Sequence, residues 1–426
     1  MSTNAKLTKV ILIGAGSRGR CYTEKMLNLP DDFKVVAVAE PIEERREDIK
    51  AVHGIKDELC FNTWEPLLDM PKIADVAIIA TMDRDHIAPA LAAIEKGYNL
   101  LLEKPAGATP EECRAIQRAA EKKGVFVLVC HVLRYTDFFK TIKGVIDSGE
   151  LGDIMNIQHI EAVGNVHQSH SFVRGNWRNS DESSPMILQK TCHDMDILAW
   201  LLGKKCKRVH SFGSLKHFRR ECAPGGSPEF CIEGCPHSDS CPYDAVKIYY
   251  NDKDNEWFRT TCTHMAHPTD EDVERAIRTS DYGRCVYKCP NNVVDHQVVN
   301  LEFEDDCIVS FTMSAFTKGG RNIRIMGTKG ELFAAMNDPI IRIYSFETKN
   351  FREIDLNSNS ADNITGGHGG GDWGIVLALK DVLAGVPNSS VCDIAESCDN
   401  HMISFAAEES RLTGKVIDME EFYSRF

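Results

Sequence analysis

A glycine-rich run near the N-terminus has the spacing of a dinucleotide-binding loop. Gly14, Gly16 and Gly19 form a complete G-x-G-x-x-G, and Ser17 and Arg18 lie between them. In such a loop the first glycine permits a tight turn, the second lets the backbone approach a pyrophosphate, and the third lets the helix pack on the strand. The free N–H groups at the start of the helix attract phosphate oxygens. These five residues are therefore candidate cofactor ligands, with packing of a βα turn as the simpler alternative.

An acidic residue follows the glycines at the distance expected for ribose binding. Glu40 ends the apolar run VVAVAE, about 20 residues beyond the last glycine. A carboxylate at this point accepts a hydrogen bond from the ribose 2′-OH and repels a 2′-phosphate. Glu40 thus favours NAD over NADP, although Arg45 and Arg46 close by could soften that preference.

Three further side chains are suited to alcohol oxidation. Lys104 follows the apolar run LLLE, and Lys190 precedes His193 on one face of an apparent helix. A lysine can stabilise negative charge on a substrate oxygen, and partial burial would lower its pKa. A histidine titrates near neutrality and can accept a hydroxyl proton. The alternatives are a surface salt bridge for Lys104 and a structural role for His193.

Two polar stretches are candidate contacts for a polyhydroxylated ligand. Residues 167–178 combine donors with a flat aromatic side chain, and residues 366–373 hold several glycines around one histidine. Glycine lets a backbone approach a ligand closely, and loops of this kind often carry function. Ordinary loops are the alternative, and an aspartate at the start of a helix could simply be its N-cap. The candidate substrate-binding residues are His170, Arg174, Trp177, His368 and Asp372.

A cysteine-rich insertion occupies about residues 218–292. Its closest groups are Cys231-x3-Cys235-x5-Cys241 and Cys285-x3-Cys289. Thiolates from two separated groups can form a tetrahedral zinc site, so structural zinc is the favoured interpretation. Free thiols and an iron–sulfur cluster remain open, because neither the usual zinc spacing nor a familiar cluster spacing is present. The insertion also holds Trp257, His264 and His267, and we expect it to cover the substrate pocket.

Alternating strands and helices must position these residues. A parallel sheet is predicted for residues 1–130, which places a doubly wound Rossmann domain there and the fold in the α/β class. Helices are predicted over Asp85–Lys96 and Pro110–Lys123, the latter with Thr109 as its N-cap. The predicted strands are Val10–Ile13, Val35–Ala39, Val76–Ala80, Asn99–Leu102 and Val125–Val129.

Residues 131–426 lose this alternation. They predict an α+β domain with a mostly antiparallel open sheet, and a helix over Ile187–Leu198 that carries Lys190 and His193. Its predicted strands are Ile154–Val163, Val298–Phe303, Ile308–Ser314 and Ile323–Met326.

Composition excludes several classes of partner. The chain has 426 residues, 43% of them hydrophobic and 26% charged, as in globular proteins with two domains. Its formal charge of −14 disfavours nucleic acid and anionic membranes. The sequence has no apolar run of about 20 residues and no signal-like N-terminus, so a cytoplasmic location is expected.

Taken together, these motifs resemble the Gfo/Idh/MocA family of oxidoreductases over nearly the whole chain. The resemblance rests on Gly14–Gly19, on Asp83–His86 and on Glu103-Lys104-Pro105, with Gly327–Leu332 and Ala406–Val416 similar to the C-terminal domain of the family. It implies that Lys104 lies beside the nicotinamide, that Glu103 orients it, and that a cis bond occurs in this region. It also implies cofactor contacts from Thr81, His86, Glu103 and Lys104. The open sheet is expected to form one wall of the active site and the interface of a homo-oligomer, a dimer or tetramer.

One position departs from the family pattern. The family helix usually carries an aspartate four residues before the catalytic histidine, which His193 matches, and Asp196 matches the aspartate that follows. Here Gln189 takes the place of the earlier aspartate. Because glutamine cannot exchange a proton, the proton chemistry is expected to be shared with Lys190.

These features favour an NAD-dependent dehydrogenase acting on a secondary alcohol of a sugar, a sugar derivative or a cyclitol. The sequences G-S-R-G and G-H-G-G-x-D also resemble the redox glycosidase branch. Such enzymes keep NAD bound, oxidise the sugar at C3, eliminate the glycosidic substituent and return the hydride. A non-catalytic ligand or redox sensor is a third alternative.

Overall fold

The computed structural model describes residues 7–357 and 367–426, without the side chains of residues 367 and 368. The predicted substrate contact of His368 therefore lies outside what is described.

The first sheet is doubly wound and parallel, with six strands in the order β3-β2-β1-β4-β5-β6. Its strands are β1 (Thr8–Ile13), β2 (Phe33–Ala39), β3 (Cys60–Phe61), β4 (Val76–Ile79), β5 (Asn99–Leu102) and β6 (Val127–Val129). The alternating helices are α1 (Ser17–Leu27), α2 (Glu43–His53), α3 (Trp64–Asp69), α4 (Ile87–Glu95) and α5 (Pro110–Lys123). The predicted Rossmann-type sheet is confirmed, and β3 is an additional short strand.

Local sequence explains how these elements begin and end. Every residue of β4 is buried, because helices cover both faces of a parallel sheet. Helix α5 starts where Thr109 Oγ1 accepts a hydrogen bond from the backbone N of Glu112 at 3.2 Å, and ends at Gly124 with φ 66°. Strand order reverses between β1 and β4, so the loops after them diverge and leave a crevice at their carboxyl ends.

The second sheet has nine strands in the order β14-β13-β12-β11-β7-β10-β9-β8-β15. Strands β10 and β7 pair in parallel and the other neighbours are antiparallel, which confirms the predicted mostly antiparallel sheet. The strands are β7 (Ile154–Ala162), β8 (Cys206–Ser214), β9 (His296–Phe303), β10 (Ile308–Ser314), β11 (Gly320–Gly327), β12 (Gly330–Ala335), β13 (Ile340–Ser345), β14 (Phe351–Asp355) and β15 (Ile417–Asp418).

Helices pack against this sheet and against the first domain. They are α6 (Asp137–Asp147), α7 (Asn165–His167), α8 (Met186–Gln189), α9 (Cys192–Leu202), α10 (Glu256–Thr263), α11 (Asp270–Thr279), α12 (Gly371–Leu383), α13 (Ile394–Thr413) and α14 (Met419–Tyr423). The single helix predicted over Ile187–Leu198 is wrong, because the chain breaks at Lys190 and Thr191 between α8 and α9.

Late elements return to the first domain. Ile375, Val376 and Leu379 of α12 share an apolar core with Val10 and Leu12 of β1. A helix late in the chain therefore packs on the parallel sheet formed by the first residues. None of the described helices has both the length and the apolar character needed to cross a membrane.

The insertion has a core of its own. Helices α10 and α11, together with the π-helical turn Val246–Asn251, enclose Tyr249, Phe258 and Ile277. The insertion is thus a folded unit.

Candidate active site

A cleft of about 810 Å³ lies where the loops after β1, β4 and β5 face the second domain. The first domain contributes Gly16, Thr81 and Lys104 to its lining, and the second contributes Trp177, Lys190 and His193. The cleft thus contains the glycine-rich loop and the three candidate acid–base side chains. Its size lies in the range of ligand pockets.

Two glycines of the glycine-rich loop are required by close packing, and the third faces the cleft. Gly14 has φ 90°, and a Cβ on it would meet Ala80 O at 2.5 Å. A Cβ on Gly19 would meet Gly14 O at 2.1 Å. A Cβ on Gly16 would meet nothing closer than Arg45 Nη1 at 3.7 Å, and Gly16 lines the cleft. Packing therefore explains Gly14 and Gly19 but not Gly16, whose open backbone fits a dinucleotide diphosphate.

Glu40 is buried at the end of β2 and holds the glycine-rich turn. Its two carboxylate oxygens accept hydrogen bonds from the backbone N of Ala15 at 2.6 Å and of Ile42 at 3.0 Å. Each oxygen has a second lone pair that remains able to accept from a ribose hydroxyl. The nearby Arg46 donates to the backbone O of Glu40 at 2.7 Å.

Arg18 lines the cleft and also joins the two domains. Its guanidinium donates to Glu103 Oε1 at 2.8 Å and to Asp372 Oδ1 at 2.7 Å. Tyr22 Oη donates to the same oxygen of Glu103. Burial alone would raise the pKa of Glu103, but Arg18 and Lys104 lower it overall. Asp372 is buried and forms an ion pair with Arg18 between the domains, and its predicted substrate contact stays a prediction.

The E-K-P turn is held on several sides. The Lys104–Pro105 peptide bond is cis, as the resemblance implies. Glu103 Oε2 accepts from the backbone N of Lys104 at 3.0 Å, and Lys104 Nζ donates to Gln189 O at 2.8 Å. His86 is buried with its two ring nitrogens 2.7 Å from Pro105 O and 3.1 Å from Thr81 O. His86 thus braces the turn, and its predicted cofactor contact stays a prediction.

Lys190 belongs to a buried network of charges. Its Nζ lies 3.3 Å from Glu161 Oε1, and Arg321 lies 2.8 Å from both Glu161 and Asp194. Burial lowers the pKa of Lys190, and the positive charge of Arg321 acts in the same direction. The carboxylate of Glu161 acts in the opposite direction, but burial is the larger effect on the pKa of Lys190.

Gln189 has a structural role in the wall of the cleft. Its amide N donates to Trp177 O at 2.8 Å, and its amide O accepts from Ser183 Oγ at 2.8 Å. Trp177 Nε1 in turn donates to Asp83 Oδ1 at 3.1 Å. The glutamine therefore fixes the backbone of the tryptophan that faces the cleft.

His170 and Arg174 are corrected, because their side chains face the insertion. Residues Gln168–Arg174 form a π-helix, whose wider turn directs His170 and Arg174 away from the cleft while Ser171 and Phe172 line it. His170 Nδ1 lies 3.0 Å from Tyr249 Oη, and burial lowers its pKa to about 3. Arg174 donates to Tyr243 O at 2.7 Å.

The insertion brings residues to the cleft that the sequence did not indicate as candidate ligands or catalytic groups. Trp257 and His264, expected to cover the pocket, line it together with Thr260 and Thr261. His167 and Asn176 also line it, although the sequence analysis singled out their neighbours. The helical spacing of the insertion residues was the available signal, since α10 carries Trp257, Thr260 and Thr261 and His264 follows directly after it.

The cysteines of the insertion form no zinc geometry. An antiparallel bridge between Phe230 and Arg284 brings the two groups together. Within the described residues, however, the side-chain group close enough to hold a metal ion, with atoms inside 4.8 Å, is His131, Asp196 and Cys392. Thiolates around zinc lie about 4 Å apart, so the predicted site at Cys231, Cys235, Cys241, Cys285 and Cys289 is not supported. All sixteen cysteines are free thiols, and burial raises the pKa of Cys289 to about 12.

The buried group at His131 is also unsuited to a cation. Asp196 already accepts hydrogen bonds from Arg134 at 2.7 and 2.8 Å, and that guanidinium occupies the place of a metal charge.

Comparison with known proteins agrees with this geometry. YteT of Bacillus subtilis strain 168, an oxidoreductase by name, is 24% identical over 372 residues, 82% of each chain. The scyllo-inositol 2-dehydrogenase (NADP⁺) IolW of the same strain is 31% identical over 150 residues, 35% of this chain and 40% of that protein. Levoglucosan dehydrogenase in complex with NADH and levoglucosan matches 97% of this chain and 99% of its own, with a TM-score of 0.71 at 17% identity, which shows a shared fold.

Two family models cover most of the sequence. The model of the oxidoreductase family with an NAD-binding Rossmann fold matches residues 8–131, and the model of its C-terminal α/β domain matches residues 143–363. The chain is therefore a member of the Gfo/Idh/MocA oxidoreductase family and an NAD(P)-dependent oxidoreductase.

Proposed function

We propose that this protein is an NAD-dependent dehydrogenase that oxidises a secondary alcohol of a sugar, a sugar derivative or a cyclitol. The observation that carries the proposal is the shared cleft, in which the glycine-rich loop, Lys104, Lys190 and His193 line one space of about 810 Å³. The names of the inositol and levoglucosan dehydrogenases similar to the chain support the substrate class.

Each candidate side chain has a distinct task in alcohol oxidation. NAD supplies the hydride acceptor when it is bound. His193 accepts the hydroxyl proton, for which an imidazole is suited near neutral pH. Lys104 donates a hydrogen bond to the substrate oxygen and stabilises the negative charge that develops there. Its Nζ carries three N–H donors, so it can keep the hydrogen bond to Gln189 O while it donates another to the substrate.

Lys190 is proposed as the second proton carrier. Lys190 lines the same cleft as His193 and its Nζ contacts Glu161, so we assign to it the transfer of a proton between the cleft and the buried network. Lys190 would then perform the role of the family aspartate that is replaced here by Gln189. Gln189 itself is held by hydrogen bonds to Trp177 O and Ser183 Oγ. Trp177 offers a flat apolar surface for a sugar ring.

Reduction of NAD with a panel of sugars and cyclitols tests the proposal. With at least one polyol, the wild type should form NADH, seen as a rise in absorbance at 340 nm. The rate of this rise should be lower by a factor of 100 or more for His193→Ala. NADH binding, followed by fluorescence titration, should be kept in the variant. Absence of reduction by every polyol, with NADH still bound, would contradict the dehydrogenase assignment.

A redox glycosidase is the second candidate, favoured by the insertion that lines the cofactor side of the cleft. Enclosure suits an enzyme that reduces and reoxidises its cofactor without release. Cleavage of an aryl glycoside by enzyme with bound NAD, without accumulation of free NADH, would select this alternative over the dehydrogenase.

A further inference from the structure

The outer wall of the cleft is built by the insertion. The glycine-rich loop and α1 form the inner wall with Gly16, Ser17 and Arg20. The opposite wall is one face of α10 and the residues that follow it, because side chains four residues apart lie on the same face of a helix. Its lining residues are Glu256, Trp257, Thr260, Thr261, His264 and Met265.

This wall is anchored to helix α2 of the first domain. The carboxylate of Glu44 accepts hydrogen bonds from the backbone N of Ala266 at 2.7 Å and of His267 at 3.3 Å. His267 Nε2 lies 3.1 Å from Asp48 Oδ1. Since α2 follows β2, whose end carries Glu40, the anchor lies on the side where a ribose would be held.

Local contacts hold the wall in its conformation. The side chain of Asn255 caps α10 by accepting from the backbone N of Phe258, and Arg259 pairs with Asp270 at 2.7 Å. Trp257 packs edge-on against His170 with ring centroids 4.7 Å apart. His264 has φ 59°, a turn that redirects the chain from α10 to the anchor at Glu44.

A positive charge lies between the two walls. Arg45 lines the cleft, and its Nη1 is 3.7 Å from the position that a Cβ on Gly16 would take. Arg20 lines the cleft on the same side. A guanidinium binds phosphate oxygens through two parallel N–H groups. A diphosphate resting on the glycine-rich loop would therefore meet the glycine N–H groups on one side and Arg45 on the other.

We propose that residues 256–267 are part of the dinucleotide site and clasp the cofactor between the insertion and the glycine-rich loop. Release of the dinucleotide then requires Glu44 to give up the N–H groups of Ala266 and His267. Hydrogen bonds to a carboxylate are stronger than those between neutral groups, so this opening slows dissociation. This inference rests on the proposed function, because it assumes that the ligand in the cleft is a pyridine dinucleotide.

The rate of NADH release tests the clasp. NADH bound to the full-length protein is chased with excess NAD, and its fluorescence is followed by stopped flow. Glu44→Ala removes both acceptors and should raise the dissociation rate tenfold or more. Glu43→Ala removes the same charge from the same turn at an exposed side chain, and should change the rate less than twofold.

Hydrogen exchange gives a second readout that needs no variant. NADH should slow the exchange of backbone amides in residues 256–267 of the wild type at least tenfold. Equal release rates in all three proteins, or no protection of this segment, would overturn the clasp while leaving dinucleotide binding intact. A wild type that binds no NADH would instead overturn the proposed function.

Discussion

At the residue scale, Lys104 is the side chain on which the proposed chemistry depends most. It lies in the cleft with its Nζ donating to Gln189 O at 2.8 Å, while Glu103, His86 and the cis bond hold the turn around it. Removing one preorganised donor to a developing oxyanion typically costs about 100- to 1000-fold in turnover. We therefore expect Lys104→Ala to lower kcat by about this factor.

The affinity of the Lys104→Ala variant for NADH shows whether Lys104 has a catalytic or a structural role. Because the diphosphate contacts lie on the glycine-rich loop, the Kd of NADH from fluorescence titration should stay within a few-fold of the wild type. A variant that loses NADH binding and activity together would show that Lys104 supports the fold instead.

Residue identity predicted the cleft on the Rossmann side better than on the opposite side. Motif spacing indicated Gly16, and the family resemblance indicated Lys104 and His193; all three line the cleft. His170 and Arg174 failed because a π-helix changes which side chains share a face, and residue types give no sign of that wider turn. The ion pair of Asp372 was not predicted, because its partner, Arg18, is remote in sequence.

At the element scale, two substitutions in the glycine-rich turn should affect stability and cofactor binding differently. Gly19→Ala places a Cβ 2.1 Å from Gly14 O, and the resulting strain should cost about 1–3 kcal/mol of unfolding free energy. Gly16→Ala meets no backbone atom within 4 Å and should leave stability within about 0.5 kcal/mol. It should nevertheless weaken NADH binding tenfold or more, because its methyl group occupies the diphosphate side.

Urea unfolding and NADH titration of the two variants check this prediction. Equal loss of stability in both would mean that Gly16 is also required by packing, and a Gly16→Ala protein with unchanged NADH affinity would remove the loop from the cofactor site.

The π-helical segment next to the cleft makes stability depend on pH. Burial lowers the pKa of His170 to about 3, below its unfolded value of about 6.5. The folded state therefore binds fewer protons, so the stabilisation is complete above about pH 6.5 and decreases as the pH falls toward 3. Between pH 7 and pH 5 this one group should cost about 2 kcal/mol of unfolding free energy.

His170→Phe should remove that part of the pH dependence. The ring of His170 is surrounded by Trp257, Phe258, Tyr249 and Tyr282, so a phenyl ring suits the site chemically. Unfolding free energies from urea denaturation at pH 7 and pH 5 should differ by about 2 kcal/mol less in the variant. An unchanged difference would mean that His170 is not held neutral.

The sequence pattern predicted some helices and strands with their observed bounds and missed others. Asn99–Leu102, Pro110–Lys123 and Ile308–Ser314 were predicted with their observed bounds, since apolar periodicity and capping residues agree there. Strand β8 (Cys206–Ser214) was missed because charged residues interrupt it and its run of apolar residues is short. The break at Lys190 was missed because apolar spacing continues across it.

At the scale of the whole molecule, the site depends on segments far apart in the chain. The cleft takes its inner wall from the first domain, its floor from α8 and α9, and its outer wall from the insertion. Helix α12 then returns to pack on β1, and Asp372 near its start pairs with Arg18. Composition and motifs indicated two domains, but which segments meet is decided by long-range contacts that local patterns do not encode.

The outward face of the second sheet leads to a prediction about assembly. Strand register aligns Ile160, Thr312, Val298 and Phe212 in one row across β7, β10, β9 and β8. Ile160, Val298 and Phe212 are 39%, 38% and 62% exposed, although the other face of the same strands is buried. Because apolar rows on a sheet are normally covered, we propose that a second copy of this chain packs on this face.

Phe212→Lys should therefore dissociate the oligomer. The wild type is expected to have at least twice the chain mass of 47.6 kDa by light scattering at micromolar concentration, and the variant a mass near that of one chain. Leu412→Lys changes an exposed apolar residue of α13, a helix that packs on the opposite, buried face of the sheet, and should keep the wild-type mass. Because Phe212 is well exposed, its replacement should leave circular dichroism unchanged, so a lower mass would report lost association rather than unfolding. A monomeric wild type, or a Phe212→Lys protein with the mass of the wild type, would exclude this face as the interface.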